Sequence, residues 1–125
     1  MITTNSQRRA ALMAGIGASF LLATAQAGAH AKLESTTPAA DSTVASPKII
    51  QAHFSEAIEP KLSSFKLAAS DGNAIAVMSM NDAKHPATLS IMPNAALKPG
   101  AYTVTWSVVS DDGHKTHGAF SFIVR

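Results

Sequence analysis

The sequence predicts one all-β domain of the sandwich or barrel type, preceded by an export signal. Three observations carry this expectation. After His30 no stretch sustains helical periodicity; short apolar segments recur instead, separated by turn residues. Two of these segments alternate cleanly: Tyr102, Val104, Trp106 and Val108 share one face of Tyr102–Val109, and Phe120, Phe122 and Val124 share one face of Ala119–Val124. Finally, 125 residues suffice for one domain and no more.

In chain order, residues 1–29 read as the export signal. Arg8 and Arg9 form a basic start, Ala10–Ala25 an uncharged apolar stretch, and Ala27-Gly28-Ala29 a small-x-small cleavage site. The apolar stretch falls short of the ~20 residues that span a bilayer as a helix, which argues against a retained anchor. The adjacent arginines also allow a twin-arginine route. Thr36–Pro47, rich in Ser, Thr, Pro and Ala, reads as a loop. Ile49–Phe54 and Ser64–Ala69 read as strands, the second ended by the turn Ser70-Asp71-Gly72-Asn73. Ile75–Met80 and Thr88–Met92 follow, with Asn81–Pro86 as the loop between them, and Lys98-Pro99-Gly100 turns the chain into Tyr102–Val109. No internal repeat or boundary divides residues 30–125.

Charge and composition narrow the function. Without Arg8 and Arg9, eight basic residues remain against eight acidic ones, so the mature domain is formally neutral and has no basic stripe for nucleic acid or anionic membrane. All five histidines stay in that part. Cysteine is absent, which excludes disulfides, a cysteine nucleophile, thiolate zinc sites and blue-copper centres. A bound metal must therefore be held by nitrogen, oxygen or thioether.

Cleavage after Ala29 would make His30 the first residue. An N-terminal histidine offers its α-amine and ring Nδ1, which close a six-membered chelate on a metal; the alternative is a frayed terminus. The segment Ser110–Gly118 joins the two clearest strands and contains Asp112 and His114, two apart, so in an extended segment they point to one side. With His30 they would complete a planar set of three nitrogens and one oxygen, the tetragonal set that Cu(II) prefers. The alternative is a solvated polar hairpin loop. Cleavage after Ala27 would instead leave Gly28-Ala29-His30, whose amine, two amides and third-position imidazole bind Cu(II) without help from the fold.

At this point a resemblance becomes specific. His30-Ala31-Lys32-Leu33, Ser35-Thr36-Thr37-Pro38-Ala39, His53-Phe54-Ser55-Glu56, Pro99-Gly100-Ala101-Tyr102, Trp106–His114, Gly118, Phe120 and Phe122 occur in an order and spacing that resemble the periplasmic copper-resistance CopC family, YobA-type proteins included. The resemblance covers essentially all of residues 30–125. It implies an immunoglobulin-like Greek-key β-sandwich and a Cu(II) site at the positions His30, Asp112 and His114. It also implies a carrier, buffer or donor role in copper homeostasis, and a CopD-type inner-membrane partner.

Glu56 lies in the matching His-Phe-Ser-Glu segment as an additional oxygen near the metal, or else as a solvated acid. His53 shares the Gln51 face and reads as polar surface, while His117 is the substitute ligand should Asp112 fail. Some relatives carry a methionine-rich Cu(I) site. Here only Met78, Met80 and Met92, with His85 as an extra nitrogen, occupy Ser64–Met92, so no Cu(I) site is expected.

Two other classes remain in view. In a histidine-brace copper enzyme the metal activates oxygen, but Asp112 would fill the position that oxygen chemistry needs open. Nor does one Trp and one Tyr, both on the predicted core strand, make a polysaccharide-binding surface. The other class is a metal-free immunoglobulin-like interaction module. The reading adopted is a non-enzymatic periplasmic protein binding one Cu(II).

Overall fold

The computed structural model describes residues 30–125; the export signal and its cleavage sites lie outside the described residues. Two β-sheets pack face to face. One has the order β1 (Leu33–Thr37), β3 (Ile50–Phe54), β7 (Thr88–Pro93), β6 (Val77–Met80). The other runs β2 (Thr43–Val44), β9 (Lys115–Val124), β8 (Gly100–Val109), β4 (Ser64–Ala69), β5 (Ala74–Ile75). Every pairing is antiparallel except β2 with β9. This is the all-β immunoglobulin-like sandwich that the sequence predicts.

Alternation explains the core. Ile50, Ala52 and Phe54 of β3 with Leu89 and Ile91 of β7 face Phe65, Leu67, Tyr102, Val104, Trp106, Val108, Phe120, Phe122 and Val124 of the second sheet, all buried. Phe54 meets Trp106 edge-on across the sandwich, ring centroids 5.1 Å apart. Burying each large side chain of this kind contributes about 1.5–3 kcal/mol. Gly118 shows how tight the fit is: a Cβ there would stand 2.6 Å from Cζ2 of Trp106.

Three segments depart from the sequence expectation. Thr36–Pro47 is not wholly loop, because β1 runs to Thr37 and Thr43–Val44 pairs with Ile123–Val124. Both strands lie at sheet edges, where a single partner strand and few apolar residues suffice. Ile75–Met80 is not one strand: Ile75 pairs with Leu67 in the second sheet, whereas Val77 pairs with Pro93 in the first. The last strand begins at Lys115, because β8 and β9 pair in unbroken register from Gly100↔Val124 to Val109↔Lys115. That long hairpin, closed by Ser110–His114, presents the candidate site.

Candidate metal centre

The hairpin turn is built around Ser110, a fully buried polar residue. Its amide donates to His114 O at 2.9 Å, and the Gly113 amide donates to Ser110 O at 2.8 Å. Gly113 adopts φ 85°, a left-handed conformation that glycine takes without steric cost. The chain therefore folds back on itself between Ser110 and His114. Asp112 and His114 meet through this turn, and not by the alternation of an extended segment.

Within the turn the Asp112 carboxylate is heavily engaged. Oδ1 accepts a very short hydrogen bond from Ser110 Oγ and a longer one, 3.2 Å, from the His114 amide. Oδ2 lies 2.9 Å from His114 Nδ1. The Ser110 hydroxyl, followed by the His114 contacts, holds the Asp112 pKa down at about 2. Near neutral pH the group is a carboxylate facing an imidazole, and pairing through Nδ1 leaves His114 Nε2 for another partner.

His30 reaches the same place because the residues after it are clamped. Ala31 is buried in the core, and its carbonyl accepts from Thr116 Oγ1 at 3.0 Å. Lys32 exchanges two bonds with Ser55: its amide donates to Ser55 Oγ, and its carbonyl accepts from the Ser55 amide, each at 2.8 Å. The result sets the exposed His30 ring edge-on to His114, centroids 4.6 Å apart. A segment tied this way at Ala31 and Lys32 is held to the sandwich immediately after His30.

The other candidates occupy other segments. Glu56 is half-buried in the bend after β3. Its neighbours bridge the two clamped segments, since Ser55 holds Lys32 and Ala57 O accepts from the Asp111 amide at 3.1 Å. The Glu56 carboxylate itself makes no hydrogen bond or ion pair among the described residues. His117 is exposed on β9 opposite Ser107, one step out of phase with Thr116, so it faces away from the segment that Thr116 holds. His53 sits on the outer face of the first sheet, its Nδ1 2.9 Å from Thr88 Oγ1. Met78 and Met80 are exposed on that face, Met78 opposite Met92 and Met80 opposite Ser90. His85 pairs with Asp82 rather than with a thioether.

Among the described residues no three His, Asp or Glu side chains stand close enough together to hold a metal ion without rearrangement. The structure brings His30 to His114 and His114 to Asp112, and it sets Glu56 between Ser55 and Ala57, which bond to Lys32 and Asp111. The residues that sequence reasoning missed are Ser110, Ser55 and Thr116, which position the candidates without being ligands. Ser110 is adjacent to the motif and could have been suspected. Thr116 acts on a residue 85 positions away, which no local pattern reveals.

Residues 33–125 match the CopC domain family. Protein YobA of Escherichia coli K12 is 40% identical over 106 residues, covering 83% of this chain and 86% of that protein. Copper resistance protein C of Pseudomonas syringae pv. tomato is 38% identical over 111 residues, covering 84% and 88%. Among solved structures, PcoC, a methionine-rich copper resistance protein from Escherichia coli, superposes with a TM-score of 0.71 at 36% identity, covering 78% of this chain and all of that one.

Proposed function

This chain belongs to the CopC family, and from that premise we propose that it is a periplasmic copper-homeostasis protein that binds one Cu(II) at the hairpin end of the sandwich. The ligands are the α-amine and imidazole of His30, released by cleavage after Ala29, with the His114 imidazole and an Asp112 oxygen. Glu56 is a further oxygen that could approach from the bend after β3. The observation that carries the reading is the clamped segment Ala31-Lys32, which sets the His30 ring 4.6 Å from His114, itself paired with Asp112.

The donor set suits the ion. Three nitrogens and one carboxylate oxygen are the tetragonal set that Cu(II) favours. The Asp112–His114 contact engages His114 Nδ1 and leaves Nε2 to the metal. Such a site holds its ion by chelation at an exposed edge and is open to a receiving protein, which fits a carrier or donor better than an enzyme. A CopD-type membrane transporter is the proposed recipient or source.

The mass of the natural secreted protein, measured natively with and without one equivalent of Cu(II), tests this reading. The expected result is a chain beginning at His30 that gains one copper. A chain beginning at Gly28 would overturn it, because the third-position histidine motif would then bind copper independently of Asp112 and His114.

A further inference from the structure

On the outer face of the first sheet, a shallow recess of about 230 Å3 is lined by Gln51, His53, Asp82, His85, Thr88 and Ser90. It brings together two histidines that have no part in the hairpin centre. We propose that this recess is a second, weaker site for a divalent transition-metal ion, held by the imidazoles of His53 and His85 and completed by solvent.

Both rings are oriented in the way metal-binding histidines usually are. His85 Nδ1 lies 2.9 Å from Asp82 Oδ2, and His53 Nδ1 lies 2.9 Å from Thr88 Oγ1. An oxygen partner on one ring nitrogen fixes the tautomer and leaves the other nitrogen to the metal. The Asp82 carboxylate, itself held by the Lys84 amide at 2.9 Å, accepts from His85 Nδ1–H and leaves the lone pair on His85 Nε2. Thr88 partners His53 similarly when the hydroxyl oxygen accepts from Nδ1–H.

The backbone holds the two rings at one junction. His53 and Thr88 are register partners, the Phe54 amide donates to Ala87 O at 2.8 Å, and the Thr88 amide donates to His85 O at 3.1 Å. The loop carrying His85 is thus tied back to the strand carrying His53. With two imidazoles as ligands and the Asp82 carboxylate engaged by His85, the site suits borderline ions that favour imidazole, such as Cu(II) or Zn(II), and it exchanges them readily.

The test is a Cu(II) titration of the mature protein followed by paramagnetic broadening of its backbone amide resonances. The first equivalent should broaden the surroundings of His30 and His114. A second, saturable event should broaden His53, His85 and Thr88. His85→Ala and His53→Ala should each abolish the second event and leave the first intact, and Asp82→Asn should weaken the second about 10-fold. His85→Ala is decisive, because that side chain lies on an exposed loop and among the described residues bonds to Asp82 alone, so the amide spectrum should stay folded. The same second event should persist in Asp112→Ala, which separates this site from any failure of the hairpin centre. Absence of a saturable second event, or one that survives His85→Ala, would overturn the proposal.

Discussion

Two histidine–aspartate pairs of the same length sit in two different turns. His114 Nδ1 and His85 Nδ1 each lie 2.9 Å from a carboxylate oxygen, of Asp112 and Asp82 respectively. What stands behind each carboxylate differs. Asp112 is backed by the hydroxyl of the fully buried Ser110 and lies beside a third group, His30, that the core itself delivers. Asp82 is backed only by the Lys84 amide, on a loop whose side chains face solvent. The pair alone is therefore a common surface feature. In the two sites proposed, its support is what separates the strong centre from the weak one.

Removing the third group should have the largest effect. His30→Ala in the mature chain should weaken Cu(II) binding by more than about 100-fold, beyond the ~10–100-fold cost of losing an outer partner. Asp112→Ala and His114→Ala should also weaken it sharply and alter the electron paramagnetic resonance spectrum. If His117→Ala mattered and His114→Ala did not, the hairpin centre would be misassigned.

Next in size is the scaffold under the stronger pair. Gly118→Ala forces a methyl into the Trp106 ring and should destabilise the fold by about 1–3 kcal/mol in chemical denaturation, whereas the Asp82 loop has no comparable packing requirement. A change below about 0.5 kcal/mol, the range of ordinary surface substitutions, would mean that the hairpin base tolerates more than its packing indicates. Ser110→Ala removes the backing of Asp112 directly. Copper affinity should then fall about 10-fold, measured by competition titration; unchanged affinity would reduce Ser110 to a purely structural residue.

Acidity separates the groups by sign. Free imidazoles and α-amines protonate between about 6.5 and 8, so Cu(II) affinity should fall steadily from pH 8 to pH 5. Asp112, held at about 2, stays ionised throughout and contributes nothing to that loss. Because its folded pKa is depressed, its contribution to stability is full above the ordinary carboxylate range and disappears as pH falls toward 2. An affinity flat from pH 8 to pH 5 would argue against amine and imidazole ligands. The smallest effect belongs to the thioethers: Met78→Ala with Met80→Ala should leave Cu(II) binding unchanged, since both are exposed on β6 and soft. A large loss with the fold intact would put them in the site.

Much of the architecture is legible in the sequence. Period-two alternation in Tyr102–Val109 and Ala119–Val124 named the central hairpin and its buried face, because a strand with one face in the core must alternate. The edges were not legible, since β1 and β2 bury too little to leave a pattern, and neither was the sheet change after Ile75, where a continuous apolar run hides a switch of partners. At the site, the residue types in the hairpin motif, together with the family resemblance, suggested the candidate ligands. Only the tertiary structure decided how they meet. The turn pairs Asp112 with His114 through hydrogen bonds that sequence spacing does not encode, and His30 arrives through contacts from Thr116 and Ser55 to residues 85 and 23 positions away. Local patterns report what a residue can do and which way it faces. Proximity between distant segments is a property of the packed sandwich.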